Sequence, residues 1–370
     1  MADDRLIAVT GAGGFIGKNL VCHLKERGYS NIVEIGRMTN ASDRHAVFRD
    51  AHVVFHLAGV NRPDDPAEFD SGNVGTTKDL CDAIAQSTRT PLIVFASSSK
   101  AGDASSYGVS KRGAELALGA LAEKAIVLTY RLPNVFGKWS KPNYNSGIAT
   151  FCYNLARGLP IQVNASAPLT LVYVDDLVEE WGELLARPVL QTALAMPRTT
   201  YETTVGAVAD ILMAFSKSRE SGLIDGVGIG LVRALYATYV SFLPADKMAY
   251  GIKAHTDARG SFSEMLRTAT TGQFSYFTAH PGVTRGGHYH HSKTEKFLVL
   301  AGKARFRFRH ILSNEIQEVM TEGGKPTIVE TLPGWAHDIT NVGQDTLICM
   351  LWANELFDPT KPDTFAAKVF

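Results

Sequence analysis

Tyr107 and Lys111, in Tyr107-Gly108-Val109-Ser110-Lys111, are the first pair of side chains in this sequence suited to chemistry. They open a helical stretch, and residues four apart share one helix face, so both point into one site. A phenol of pKa about 10 exchanges protons poorly at neutral pH. An ammonium beside it stabilises the phenolate and lowers that pKa. Upstream, Phe95-Ala96-Ser97-Ser98-Ser99 ends a strand, where hydroxyls can orient a carbonyl. Near the other end of the chain, His288 and His290 alternate by two and project from one strand face, while His291 points to the other.

A Tyr-xxx-Lys pair arises by chance in many proteins, so its weight depends on its setting. Here the strand-like run Leu6 to Val9 enters Thr10-Gly11-Ala12-Gly13-Gly14-Phe15-Ile16-Gly17 and then a helical pattern. A tight strand-to-helix turn needs glycine where φ is positive and where a pyrophosphate nears the backbone, and the helix N-terminus offers free N–H groups. This predicts a dinucleotide site. Many NAD-preferring enzymes carry a carboxylate at the end of the second strand to hold the ribose hydroxyls. Here that end reads Ile35-Gly36-Arg37. A guanidinium can pair with a 2′-phosphate, so NADPH is expected over NADH. The alternative reading of Arg37 is a solvated loop charge.

The elements that position these residues are legible too. Runs at Leu6–Val9, Ile32–Ile35, Val53–Leu57, Leu92–Phe95 and Ile126–Thr129 are short, continuous and β-branched, as strands of a parallel sheet covered on both faces are. Helical segments between most of them give a doubly wound α/β sheet. Beyond about residue 250 short strands follow one another with Gly, Pro and Asn at the joints, which predicts an all-β barrel. Lys303 to Arg309 alternates strictly, putting Arg305, Arg307 and Arg309 on one face. The expected domains are therefore 1–248 and 249–370. With 370 residues, 45% hydrophobic and 20% charged, each can bury a core. Lys plus Arg equals Asp plus Glu at 37 each, which argues against a nucleic-acid or membrane-surface binder. Cys22, Cys81, Cys152 and Cys349 form no CxxC pair and read as reduced thiols; with an N-terminus lacking a signal pattern, this predicts a cytoplasmic protein. The apolar stretch Gly222–Leu243 contains Asp225 and Arg233 and reads as soluble helix rather than a membrane span.

Taken together, Thr10-Gly11-xx-Gly14-xx-Gly17, His56-Leu57-Ala58-Gly59, Ser97-Ser98-Ser99, Tyr107-xxx-Lys111 and Arg131-Leu132-Pro133-Asn134-Val135-Phe136-Gly137 resemble an extended short-chain dehydrogenase over residues 5 to 245. The resemblance implies that Tyr107 is general acid for carbonyl reduction and that Lys111 holds the nicotinamide ribose. It favours Ser99 as the hydroxyl partner, with Ser98 as runner-up. Gly11, Gly14, Phe15, Ile16, Gly17, Leu57, Ala58 and Gly59 would line the cofactor, and Arg131 and Asn134 the nucleotide sugar. Two departures stand out. Only some fifteen residues separate Arg37 from His52, too few for helix, strand and helix, so the sheet should be reduced at that edge. The short Ser-to-Tyr interval should leave the substrate pocket more open.

The segment from Gly282 to Gly302 is similar to the first cupin motif, Gly-x5-His-x-His-x4-Glu-x6-Gly, and Pro333 to Asn341 to the second, with Leu332 where a proline is usual. This implies a metal site of His288, His290, Glu295 and His337. Three imidazoles and a carboxylate suit a borderline divalent ion, zinc first, with nickel, iron or manganese as alternatives. The alternative is a cupin that keeps the residues and works without metal. His255 to Glu264 and Val283 to Tyr289 resemble deoxyhexulose 3,5-epimerases, in which a histidine at the place of His288 removes a proton beside a ketone. A metal-bound imidazole cannot also be a free base, and the sequence leaves that conflict open. Arg259, Arg285 and the Arg305 stripe are candidates for the substrate diphosphate, an exposed charged stripe being the plainer account of the last.

The whole chain resembles the bifunctional capsular polysaccharide nucleotide-sugar reductases of bacteria. The resemblance implies a UDP-2-acetamido-2,6-dideoxy-4-hexulose substrate, C3 epimerisation in the cupin, C4 reduction by NADPH, and a homodimer. Two other readings stand beside it: a reductase whose cupin serves only dimerisation or stability, and a non-catalytic NADP-binding sensor. Residue chemistry alone gives ketone reduction coupled to carbanion chemistry.

Overall fold

The parallel strands form where buried runs leave no polar face. In this computed structural model, which describes residues 4–121, 123–187 and 189–370, all four side chains of β1 (Ile7–Thr10) are buried. β1 pairs in parallel with both β2 (Ile32–Ile35) and β3 (Val53–His56). β4 (Leu92–Ser98), β5 (Ile126–Leu132) and the short Ala193–Ala195 strand extend the sheet beyond β3. Strand alternation sends Ile7, Val9, Phe55 and Val94 to one side, against Leu20 and Leu24 of α1 (Phe15–Glu26) and Trp181 of the helix Val174–Leu184. Ala8, Val54, Ile93 and Phe95 go to the other side. There they meet Phe48 of α2 (Ala41–Asp50), Leu80 and Ile84 of α3 (Thr76–Ala85), and Ala114 and Leu118 of α4 (Ser106–Gly119). Each large apolar side chain so buried contributes about 1.5–3 kcal/mol.

A single helix, α2, joins β2 to β3, so β2 is the sheet edge, as the short Arg37–His52 interval implies. Asn40 caps that helix, accepting from Asp43 N at 2.8 Å. The carboxyl ends of β1 to β4 lie along one edge of the sheet, where open α/β sheets place ligands.

By internal contacts the chain divides into two compact units. One holds residues up to Met213 together with Ile229–Pro244; the other holds Ala214–Gly228 with Ala245–Phe370. Ala214–Gly228 is tied into the second unit by Ile224 N to Arg267 O and Arg267 N to Gly222 O, both 2.9 Å. Two antiparallel sheets make up that unit, a cupin-like arrangement. Its core is Phe277, Phe297, Val299, Phe306, Phe308, Ile339, Leu347 and Cys349. β6 (Thr284–Tyr289), β7 (Glu295–Ala301) and the strand Trp335–Asn341, which pairs with β8 (Lys303–His310), position the cluster described below.

β8 turns Ala304, Phe306 and Phe308 inward. Arg305, Arg307 and Arg309 face the other way, and the last two are hydrogen-bonded within the unit. Arg305 lies 3.9 Å from Glu318, Arg307 forms a two-pronged pair with Asp338, and Arg309 donates to Lys368 O and Asn314 Oδ1. Arg307 and Arg309 are thus paired internally, whereas Arg305 Nε is buried without a hydrogen-bond partner. All four cysteines are free thiols, and among the described residues no helix is long and apolar enough to cross a membrane.

Candidate functional site

At the end of β1 the chain must turn within van der Waals distance of the loop after β3. Gly11 has φ +67°, and a Cβ there would sit 2.9 Å from Ala58 N; one on Gly17 would sit 2.3 Å from Gly11 O. Gly14 is the N-cap of α1 and offers no side chain to its orphan N–H groups. The first turn therefore presents backbone donors and a partial positive charge, which fits a pyrophosphate. Phe15 and Ile16 pack against the sheet core and steady this turn. Arg37, exposed, follows β2 on the same edge; Gly11 N bonds to Ile35 O at 3.0 Å.

A buried hydrogen-bond chain fixes the loop after β3. Leu57 N and Ala58 N both donate to Thr10 Oγ1 at 3.0 Å, and that hydroxyl lies 2.9 Å from His56 Nδ1. Thr77 Oγ1, 2.9 Å from His56 Nε2, donates to Asn73 O. Every partner is satisfied if His56 carries its proton on Nε2 and accepts on Nδ1. Burial, then the Lys111 charge, pushes His56 down to about 3, so it stays neutral. Its role is to shape the loop.

Tyr107 and Lys111 share the inner face of α4. Lys111 Nζ donates to Ala96 O at 2.8 Å and lies 4.8 Å over the Phe95 ring. Burial lowers its pKa to about 8. The Tyr107 phenol is raised by burial, only partly offset by a hydrogen bond from Ser98. Against the expectation that Lys111 brings the phenol down, burial raises it here, with the Ser98 hydrogen bond the opposing influence, and Tyr107 is held as a protonated acid. The Phe69 ring covers it, centroids 5.8 Å apart.

The three consecutive serines do different things. Ser97 Oγ donates to Glu115 Oε1 at 2.5 Å, Ser98 reaches Tyr107, and Ser99 is exposed at the start of a 3₁₀ turn. Ser98, not Ser99, is thus the hydroxyl facing the phenol. β4 ends at Ser98, and the turn that follows swings Ser99 outward.

Arg131 is also corrected. Its Nε and NH2 grip Glu115 at 3.0 and 2.7 Å, so it braces α4 against β5 instead of waiting for substrate. Asn134 is exposed, its amide 3.3 Å from Thr170 O.

Sequence reasoning missed Asn73. Its side chain bonds Val60 N and Val60 O and donates to Ser110 Oγ at 2.9 Å, clipping the loop after β3 to α4. A Cβ on Gly59 would lie 2.7 Å from Asn73 Oδ1 and 3.5 Å from Lys111 Nζ, which is why glycine stands there. Glu115 was also missed; its spacing of four from Lys111 was the available signal.

In the second unit, β6, β7 and the strand Trp335–Asn341 bring His288, His290, Glu295 and His337 together. One ligand atom from each lies within 4.8 Å of the others. His290 Nδ1 meets Asp363 O, and His337 Nδ1 meets Trp335 O at 3.3 Å. A carbonyl only accepts, so both Nδ1 atoms carry protons and both Nε2 atoms present lone pairs. Those Nε2 atoms are buried without a hydrogen-bond partner and lie 3.4 and 3.3 Å from Glu295 Oε2. Burial pushes His288 down to about 4, with His337 adding to the effect, so it too is neutral. Burial alone would raise the Glu295 carboxyl, and the Lys293 ammonium, 3.3 Å from Oε1, works against this in favour of the ionised form. Orphaned lone pairs around a carboxylate fit a divalent cation.

Arg285 lines a cavity of about 180 Å³ with His288, Glu295, His337, Phe297 and Phe306. Its Nε and NH2 are buried without a hydrogen-bond partner, NH2 lying 4.0 Å from Asp257 Oδ1. Arg259, by contrast, is committed to Asp257 through two contacts of 3.0 and 2.6 Å. His291 is exposed and packs against Tyr289 and Phe365.

Comparison with known proteins bears on both units. The chain is 51% identical over 366 residues to the "UDP-2-acetamido-2,6-beta-L-arabino-hexul-4-ose reductase" of Pseudomonas aeruginosa, covering 98% of each. It matches the crystal structure of the capsular polysaccharide assembling protein CapF from Staphylococcus aureus with a TM-score of 0.90 at 40% identity, over 98% of this chain and all of that one. The chain belongs to the CapF family. Within this CapF-family member, the model described as "NAD dependent epimerase/dehydratase family" matches residues 7–189. The model described as "Polysaccharide biosynthesis C-terminal domain" matches residues 255–365, which hold all four residues of the imidazole–carboxylate cluster. The Bordetella bronchiseptica enzyme WbmF, solved with NAD+ and UDP, matches at 17% identity and a TM-score of 0.55, over 65% of this chain and 92% of its own; that likeness shows the fold alone.

Proposed function

We propose that this CapF-family chain converts UDP-2-acetamido-2,6-dideoxy-L-4-hexulose to UDP-N-acetyl-6-deoxy-L-talosamine, a precursor of UDP-N-acetyl-L-fucosamine, by C3 epimerisation and then C4 reduction. The observation that carries the reductive half is the Ser98–Tyr107–Lys111 constellation at the carboxyl edge of a sheet whose first turn is a glycine cradle. The name of the Pseudomonas aeruginosa relative, a hexul-4-ose reductase, supports the substrate class.

NADPH, if bound on the cradle, would supply the hydride to C4. The chain's own residues do the rest. Ser98 and Tyr107 hold the ketone oxygen, and Tyr107, kept protonated by burial, delivers its proton as the alkoxide forms. Lys111 brings positive charge beneath the same face. Arg37, with no carboxylate at the end of β2, gives the preference for the 2′-phosphorylated cofactor.

For the first half, the C3 proton is acidified by the adjacent C4 ketone. A divalent ion, zinc in this reading, held by His290, Glu295 and His337, would polarise that ketone. His290 and His337 each hold a backbone carbonyl on Nδ1, while His288 lines the cavity. In this reading His288 stays off the ion and takes the C3 proton; with His288 coordinated as a fourth ligand, another group would have to take it. Arg285 beside it would meet the diphosphate. A homodimer is part of the proposal: Phe274, Leu298, Ile328, Met350 and Trp352 line an apolar groove of about 360 Å³ in the second unit.

The test separates the two halves. Tyr107→Phe should abolish NADPH oxidation yet leave solvent deuterium exchange at C3, and His288→Ala should do the reverse on unepimerised substrate. Folded variants that each lose both activities would refute the division of labour. A wild-type chain showing no exchange without NADPH would instead make the second unit a dimerisation or stability module.

A further inference from the structure

Asp363 lies 68 residues beyond Glu295, outside every motif in the sequence, yet it touches the cluster twice. Its carboxylate accepts the backbone N–H groups of His291 at 2.9 Å, Ser292 at 2.7 Å and Lys293 at 2.8 Å, and the Ser292 hydroxyl at 3.0 Å. Those residues form the loop between His290 and Glu295. Its backbone carbonyl accepts from His290 Nδ1, with Thr364 Oγ1 3.4 Å from the same nitrogen. The next residues pair with β6, Tyr289 opposite Phe365 and His288 opposite Ala366, and Ala367 N reaches Gly287 O at 2.9 Å.

From this geometry we propose that Asp363 is a positioning residue of the metal site. It clamps the ligand loop through its carboxylate and fixes the ring of His290 through its carbonyl. The inference rests on reading the imidazole–carboxylate cluster as a metal site. Three successive N–H groups converge on one carboxylate, so the backbone of Asp363 cannot drift from the loop without losing charge-assisted bonds. Held there, its carbonyl enforces the tautomer in which His290 Nε2 is the free donor. Lys293, carried by the same loop, is nine-tenths buried with Nζ 3.3 Å from Glu295 Oε1, while Oε2 faces the imidazoles. The clamp therefore orients two ligands: the ring of His290 directly, and the carboxylate of Glu295 through the loop that carries Lys293.

The experiment measures Zn2+ affinity of the full chain by chelator competition, and the visible spectrum of the Co2+-loaded protein, for wild type, Asp363→Ala and Asp363→Asn. The expected result is affinity 10- to 100-fold weaker for Asp363→Ala, with an intermediate loss for Asp363→Asn and an altered Co2+ spectrum. NADPH binding by the first unit serves as the check that the protein is folded. Melting of metal-free and zinc-loaded protein separates positioning from bulk stability, because the rise in melting temperature on adding zinc shrinks only if the site itself is loosened. Wild-type affinity in both variants overturns the clamp. A wild-type chain that takes up less than a tenth of an equivalent of zinc overturns the metal reading beneath it.

Discussion

Lys111 is the residue at which folding and chemistry pull hardest against each other. Its ammonium is buried, and its pKa of about 8 lies well below the usual lysine range. The folded state therefore binds fewer protons than the unfolded state between pH 8 and about 10.4. The penalty is fully present below pH 8 and relieved as pH rises through that window. Lys111→Met should raise stability in urea unfolding at pH 7 by about 1–3 kcal/mol, the gain shrinking toward pH 10, while NADPH oxidation is lost. In the wild type, kcat/KM should fall above about pH 8 as Lys111 loses its charge, because the Tyr107 phenol titrates higher; in Lys111→Arg any residual activity should lack that limb. At the same scale, Ser98→Ala should lower kcat by about 10²-fold and Ser99→Ala should leave it nearly unchanged, measured by NADPH oxidation. Equal effects of the two would refute the reading of the phenol's partner.

The elements carry the constraint that the glycines express. The β1-to-α1 turn closes against the loop after β3, and Gly11 and Gly17 leave no room there for a methyl group. Gly17→Ala must displace backbone, so its NADPH Kd should rise at least tenfold in titration, whereas Gly13→Ala, with open space around it, should change it little. Strand periodicity made most of this scaffold legible: the continuous apolar runs are the parallel strands, and the Lys303–Arg309 alternation is a strand with an apolar inner face. It could not say where β4 ends, and a one-residue difference there made Ser98, not Ser99, the hydroxyl that faces the phenol. Nor could it show that Arg131 is already occupied, because Glu115 lies on a different element.

Over the whole molecule, Tyr107 and Lys111 lie in one unit and the imidazole–carboxylate cluster in the other, in a chain whose formal charges balance. If the second cluster holds zinc, metal binding stabilises the folded state it favours. Chelation should then lower the melting temperature of the second unit by several degrees and abolish C3 exchange, leaving NADPH binding by the first unit intact. Calorimetry of metal-free and zinc-reloaded protein checks this, and an unchanged transition would count against a bound ion.

The sequence by itself determined the local features. These are the glycine turn on the first strand, the four-residue spacing of Tyr107 and Lys111, the two-residue spacing of His288 and His290, and the absence of room for a second helix and strand before His52. Each depends on chain neighbours, whose geometry is fixed by the periods of helix and strand. Tertiary structure alone decided which groups are occupied and how burial tunes them: Asn73 beneath Gly59, Glu115 holding Arg131, a phenol raised instead of lowered, and Asp363 closing on a loop some seventy residues earlier. Such partners meet only when distant strands pair and water is excluded, and neither event leaves a spacing to read along the chain.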